Sequence, residues 1–222
     1  MPEVADLSPS FLCCDDLLPF LADDGWLDWT KLFATTNPVE LDVGCGRGMF
    51  LVNASTTQPD RNFLGVELDF TEGRRGAKRL FKRQQSNARV IGGDANFLLD
   101  HLIRPASLAA VHVYFPDPWW KRKHRRRRLF TDLFADRVAR ALQPGGKLHM
   151  WTDVADYFKI VEALLKHHAL FAPLPQPEER PAANHLDYQT SFERTRRQAG
   201  LPIHRGQWQR VSSPIIPNGD AA

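Results

Sequence analysis

The chain predicts an α/β fold: a doubly wound, mostly parallel sheet covered by helices on both faces. Three observations carry this prediction. From Val39 onward, short apolar runs alternate with segments of helical pattern. A glycine-rich turn, Asp42-Val43-Gly44-Cys45-Gly46-Arg47-Gly48, joins the first run to the first of those segments. Acidic residues recur where successive runs end: Asp42, Glu67, Asp94 and Asp117.

The elements follow in order. Val39–Val43 is short, apolar and ends in glycines, which predicts a buried strand and a tight turn. A helix is expected over Met49–Thr57, a second strand over Asn62–Leu68, and a basic amphipathic helix over Thr71–Ser86. Arg89–Ile91 reads as a third strand before Gly92-Gly93-Asp94, and Asn96–Ile103 as a short helix. Leu108–Phe115 is an apolar run interrupted only by His112, as expected of a buried strand. Leu129–Leu142 reads as a helix closed by Pro144-Gly145-Gly146, followed by a fifth strand, Lys147–Thr152, and a helix, Val154–His168. The proline- and acid-rich segment Ala172–Pro181 reads as a loop, and Tyr188–Val211 as one or two edge strands. Before Val39 the pattern is weaker, with helical stretches expected within Leu7–Leu21 and Trp26–Phe33. This divides the chain into an N-terminal extension over 1–36, a main domain over 37–215 and a short tail over 216–222.

Composition narrows the function. At 222 residues and 43% hydrophobic content the chain is long enough to bury a sizeable core. No run approaches the ~18 apolar residues of a membrane span. The first 16 residues are acidic, without the basic segment that opens a secretion signal. Three cysteines, two of them adjacent, suit neither a disulfide framework nor a zinc site, so a reducing, cytoplasmic setting and no metal are expected. Net charge is only +3, but residues 121–128 hold seven Lys or Arg in eight positions. Removing those seven from the 29 basic residues leaves 22 against 26 acids, a body of net −4. One intense basic spot on an acidic body points to capture of a polyanion. A second basic stretch, Arg74–Arg83, reads first as a solvated helix face, and a looser third includes Arg194, Arg196, Arg197, Arg205 and Arg210.

A glycine loop after a strand suits several nucleotide cofactors, so it is weak evidence alone. Its spacing here is Gly-x-Gly-x-Gly (Gly44, Gly46, Gly48) rather than the dinucleotide Gly-x-Gly-x-x-Gly. Asp42, two residues before Gly44, would repel a dinucleotide's phosphates but suits a cationic amino or sulfonium group. S-adenosyl-L-methionine is therefore the expected cofactor. Glu67 stands where an acid binds ribose hydroxyls, and Asp94 where a carboxylate accepts the adenine amino hydrogens. Each acid is also a good helix cap, and capping is the competing explanation for each alone.

The fourth strand runs into Phe115-Pro116-Asp117-Pro118-Trp119-Trp120 and then into the basic block. The prolines restrict the backbone around Asp117. A carboxylate there can stabilise positive charge developing on a purine, hold the base by its N–H edge, or take a proton. A neighbouring tryptophan can stack on a base, although core packing is the commoner use of at least one of the pair. Lys121, Lys123, Arg125, Arg126, Arg127 and Arg128 would neutralise phosphates.

With these residues in place, the chain resembles the single-subunit bacterial tRNA (guanine-N7-)-methyltransferases, which modify the variable loop at position 46. The Phe115–Trp119 motif with Lys121, His124 and Arg126–Leu129 carries the resemblance most specifically. Leu41–Gly48, Gly65-Val66-Glu67, Gly93-Asp94-Ala95, Thr152-Asp153 and Thr190-Ser191-Phe192-Glu193 extend it over roughly residues 38–206. The resemblance implies a seven-stranded, Rossmann-like class I methyltransferase sheet with an antiparallel C-terminal edge strand, and tRNA as the partner. It implies cofactor contacts at Asp42, Gly44, Gly46, Glu67, Asp94, Ala95 and Asp117, with Asp117 also the catalytic acid. Lys121, Asp153, Thr190, Ser191, Phe192 and Glu193 become substrate contacts. The family usually carries Glu where this chain has Asp42, and many members have a basic N-terminal arm where residues 1–36 hold a single basic residue, Lys31. A methyltransferase acting on an exocyclic amine and a non-catalytic RNA-binding protein of the same fold are the competing readings. No obligate protein partner and no membrane are expected, and the chain is read as a monomer or homodimer.

Overall fold

A computed structural model describes residues 7, 9–119, 128–177 and 188–212. Its centre is a strand sequence β2 (Val39–Val43), β3 (Asn62–Glu67), β4 (Ala88–Gly92), β5 (Leu108–Tyr114) and β6 (Leu142–Thr152), all parallel. The helices α2 (Met49–Thr57), α3 (Phe70–Lys82), α4 (Ala95–His101), α5 (Asp132–Ala141) and α6 (Ala155–His167) follow those strands in turn. The sheet is completed by β1 (Phe11–Leu12), β7 (Phe171–Pro173) and β8 (His204–Arg210), and by the outer helices α1 (Trp29–Phe33) and α7 (Ser191–Gln198). The strand order is β1-β4-β3-β2-β5-β6-β8-β7. The chain moves outward from β2 to β4, then returns to place β5 on the other side of β2. Right-handed crossovers put α2 and α3 on one face of the sheet and α4 and α5 on the other. The ends of β2 and β5 therefore form a topological switch point, where open α/β sheets bind ligands.

The expected doubly wound, mostly parallel sheet is observed, with departures at its margins. Phe11–Leu12 pairs in parallel with Val90–Ile91 and adds an eighth strand where a helix was expected. A 3-10 turn over Cys14–Phe20 follows it. Pro19 lies inside that turn and shortens the helical run. The expected loop 172–181 begins instead with β7, which closes the sheet edge, where a strand tolerates Pro173. The stretch 188–211 contributes a helix before its strand. Thr190 accepts a hydrogen bond from the Glu193 N–H at 3.0 Å, and the Glu193 side chain reaches back to the Gln189 N–H at 2.5 Å. This is close to a capping box, and it starts a helix where β pattern was read. The antiparallel C-terminal strand β8 lies between β6 and the edge strand β7.

Every residue of β2 and of β4 is buried, as strands covered on both faces require. In α3 the buried face is Gly73, Gly76, Ala77 and Leu80, while its basic side chains point outward. Gly73 lets α3 approach the sheet closely, and Gly76 lets it approach the backbone of the glycine loop at Arg47 and Gly48. Among the described residues no helix is long and apolar enough to cross a membrane.

Candidate active site

The glycine loop is stitched to the neighbouring strand. The N–H groups of Gly44 and Cys45 donate to the Val66 carbonyl at 2.9 and 3.1 Å. The Gly46 N–H donates to the Glu67 carboxylate at 2.8 Å, whose other oxygen accepts from the Asp69 N–H at 2.9 Å. Gly44 and Gly46 have φ of +73° and +51°, left-handed values that a side chain would strain. Gly65 on β3 is required for another reason: a Cβ there would sit 2.5 Å from Leu51 Cδ1 and 2.7 Å from Cys45 Sγ. The Cys45 thiol is buried, and burial pushes it well above its ordinary value, so it is packing rather than a nucleophile.

Asp42 is 3% exposed, and its carboxylate accepts no hydrogen bond from any described residue. Burial first, and the negative charge of Glu67 second, push its carboxyl up to about 8. Burying a charged carboxylate without a partner is costly. Asp42 lines a cavity of about 420 Å³ together with Gly44, Gly46, Tyr114, Phe115 and Phe192. Tyr114 is fixed from behind. Its hydroxyl lies 2.9 Å from His112 Nδ1, and His112 Nε2 lies 2.7 Å from the Glu40 carboxylate, which also binds Arg61.

At the tip of β5 the backbone turns sharply. Phe115 has φ 54° and Trp119 φ 41°, so left-handed residues bracket Pro116-Asp117-Pro118. The Phe115 N–H donates to the Trp151 carbonyl at 2.7 Å, and its ring stacks on Phe192. Asp117 is exposed, two residues beyond the cavity wall at Phe115. Arg128 returns toward this turn: its Nε donates to the Pro118 carbonyl at 2.9 Å and its guanidinium lies 5.7 Å from the Tyr157 ring centroid.

The C-terminal segment closes the cavity from the third side. Thr190, Ser191 and the 61% exposed Phe192 line it. Glu193 faces inward at 2% exposure, with Arg197 at 3.3 Å and Arg205 at 3.4 Å from its carboxylate. Asp153, at the end of β6, pairs with Arg196 at 2.7 Å, so α7 is tied to the sheet edge it crosses.

The structure thus gathers Asp42, Gly44, Gly46, Thr190, Ser191 and Phe192 on one cavity. Glu67 holds the loop rather than lining that cavity. Asp94 is exposed and caps α4 through the Asn96 N–H at 2.8 Å, with Ala95 the first residue of that helix. These two stand at the end of β4, beyond β3 from the loop. Asp42 and Glu67 do not cap helices; Asp69, not Glu67, caps α3. Lys121, Lys123, Arg125, Arg126 and Arg127 lie outside the described residues. Sequence reading did not anticipate Tyr114, Phe115 or Arg47 on the cavity wall. Only their places beside a strand end and a glycine turn could have marked them.

Fold and site define a class: a Rossmann-like α/β protein built as a methyltransferase, with a cofactor-type glycine loop facing the turn after the fourth parallel strand of the switch-point sheet. A family model described as "Putative methyltransferase" matches residues 36–205. A protein of Rhodopirellula baltica named tRNA (guanine-N(7)-)-methyltransferase is 40% identical over 210 residues, covering 87% of this chain and 78% of that one. The chain belongs to the tRNA (guanine-N(7)-)-methyltransferase family. Among solved structures, the aminoglycoside resistance methyltransferase NpmB1 shares the fold at 14% identity, with a TM-score of 0.54 over 81% of this chain and 90% of that chain. A SAM-dependent O-methyltransferase from Thermotoga maritima shares it at 12% identity, with a TM-score of 0.53 over 83% of this chain and 64% of that chain.

Proposed function

We propose that this chain transfers a methyl group from S-adenosylmethionine to N7 of a guanine in the variable loop of tRNA. The observation that carries this reading is Asp42: a buried carboxylate with no described partner, on a cavity whose opposite wall comes from the Phe115 turn and the Thr190–Phe192 segment. Such a carboxylate fits a cationic ligand group, which is what this cofactor brings. When bound, the cofactor supplies an electrophilic methyl group.

This chain's own residues then have positional and electrostatic work to do. Asp42 anchors the cationic end, and Glu67 and Asp94 offer acceptors further along the sheet edge. Phe115 and Phe192 present aromatic faces where the cavity opens. Guanine N7 has a free lone pair at neutral pH, so alignment of the reacting atoms supplies much of the rate. The carboxylate of Asp117, at the rim, stabilises the positive charge that the purine gains. Lys121 and the basic residues up to Arg128 hold the RNA backbone. The methyltransferase unit spans 37–215, with 1–36 as an extension and a cytoplasmic setting. The protein works as a monomer or homodimer.

The test is nucleoside analysis of unmodified tRNA incubated with the protein and labelled cofactor. 7-Methylguanosine at the variable loop is the expected product. An N-methylated amine would instead favour an exocyclic-amine enzyme. Absence of both product and cofactor binding would leave an RNA-binding role.

A further inference from the structure

Two basic stretches far apart in the chain meet in space. A cavity of about 320 Å³ is lined by Arg47 from the glycine loop, Arg79 and Arg83 from the end of α3, and Arg194 from α7. Asn53 and Ser191 add uncharged polar groups to the same wall. Glu72 is the nearby acid, and it is engaged by both Arg47 and Arg75. Arg79 donates to the Arg47 carbonyl at 3.0 Å. Arg83 and Arg194 make no ion pair with any described residue.

Four guanidinium groups from three separate elements repel one another at this wall. Partial burial, and then the charges of Arg47, Arg83 and Arg194, hold Arg79 below its ordinary value. A solvated helix face would spread such charges; here α7 brings Arg194 over the end of α3. An anion relieves the repulsion, and forked guanidinium donors suit phosphate oxygens. The cavity shares Arg47, Met49 and Ser191 with the larger cavity that Asp42 lines. An anion held here therefore sits beside the cavity that Asp42 lines.

We propose that Arg79, Arg83 and Arg194 form a second phosphodiester-binding site, on the α2–α3 side of the cleft, for the backbone of the RNA being methylated. Arg128, which rests on Tyr157 of α6, stands on the other side. The RNA backbone would then be met on both sides of the switch point. This site rests on the tRNA reading above.

The test measures tRNA affinity of the full chain at a series of salt concentrations, for wild type, R83A/R194A and R83K/R194K, alongside cofactor affinity by calorimetry. The alanine variant should bind tRNA about tenfold more weakly, with the slope of log K against log salt shallower by about 1.4–1.8, since each neutralised phosphate contributes about 0.7–0.9. The lysine variant should recover most of the slope. Cofactor affinity should not move. An unchanged salt slope in R83A/R194A overturns the site and leaves the tRNA reading standing. So does loss of cofactor affinity with the slope intact, which would assign the cluster to a small anion. Wild-type protein that neither binds nor methylates tRNA overturns the reading, and the site with it.

Discussion

Phe115 stacks on Phe192, with ring centroids 5.9 Å apart and ring planes inclined by 21°. The contact joins the turn after β5 to the first turn of α7, and both rings stand on the cavity that Asp42 lines. Phe115 adopts φ 54°, a conformation that costs a residue bearing a side chain roughly 1–3 kcal/mol. Its surroundings over-determine it: the Trp151 carbonyl holds its N–H, and Phe192 covers its ring.

Phe192→Ala should raise KM for tRNA roughly threefold to tenfold, corresponding to about 0.5–1.5 kcal/mol of ring contact. Because Phe192 is 61% exposed, the melting temperature should hardly change. Steady-state kinetics with tRNA as varied substrate checks this. An unaltered kcat/KM would remove Phe192 from the cleft.

Asp117→Ala should leave the fold intact, since the side chain is exposed. Turnover should fall about a hundredfold or more, the usual cost of one group that stabilises developing charge. Asp117→Asn separates charge from hydrogen bonding: if charge matters, the amide should be nearly as slow as alanine. Full activity in either variant would take Asp117 out of the mechanism.

Asp42 links stability, pH and cofactor binding. Its carboxyl titrates at about 8 in the fold against 3.8 ordinarily, so the folded chain binds this proton more tightly than the unfolded chain does. The stability that follows is complete below the unfolded value and is lost as pH rises through about 8. Asp42→Asn removes that loss. It should melt at least a few degrees higher than wild type at about pH 8–9, with the gap closing as pH falls toward about 4. The same variant should bind the cofactor poorly. In wild type, a cationic ligand group drives Asp42 to ionise, so binding at pH 7 should release a proton. Calorimetry in two buffers of different ionisation heat measures that release. Its absence would mean that Asp42 meets no cation.

Glu193→Ala should act on stability rather than on substrate directly. It removes the 2% exposed carboxylate that Arg197 and Arg205 share. Breaking a buried ion pair from one side costs about 3 kcal/mol or more. Chemical denaturation should show that loss, with tRNA KM rising as α7 loosens. Unchanged stability would indicate that the network does not hold the segment.

The amino-acid sequence by itself determined the framework. Apolar runs, glycine turns and helical periods are local signals, and each is satisfied within a dozen residues or so. That is why β2 through α6 stand close to where their patterns place them, and why Asp42 and Asp117 could be singled out at strand ends. The tertiary structure decided what depends on meetings across the chain. Arg205 on β8 pairs with the buried carboxylate of Glu193, and no local pattern announces that meeting. Phe11 becomes a strand because Val90 offers it an open edge. Asp94 and Asp42 both follow the same strand-end pattern, yet one is an exposed cap and the other a buried, unpaired carboxylate. Their difference lies in position along the strand: Asp42 is within β2, whose residues are all buried, whereas Asp94 stands beyond the end of β4 at the start of α4. Burial sets the energy of a charge, and burial is a property of the assembled fold.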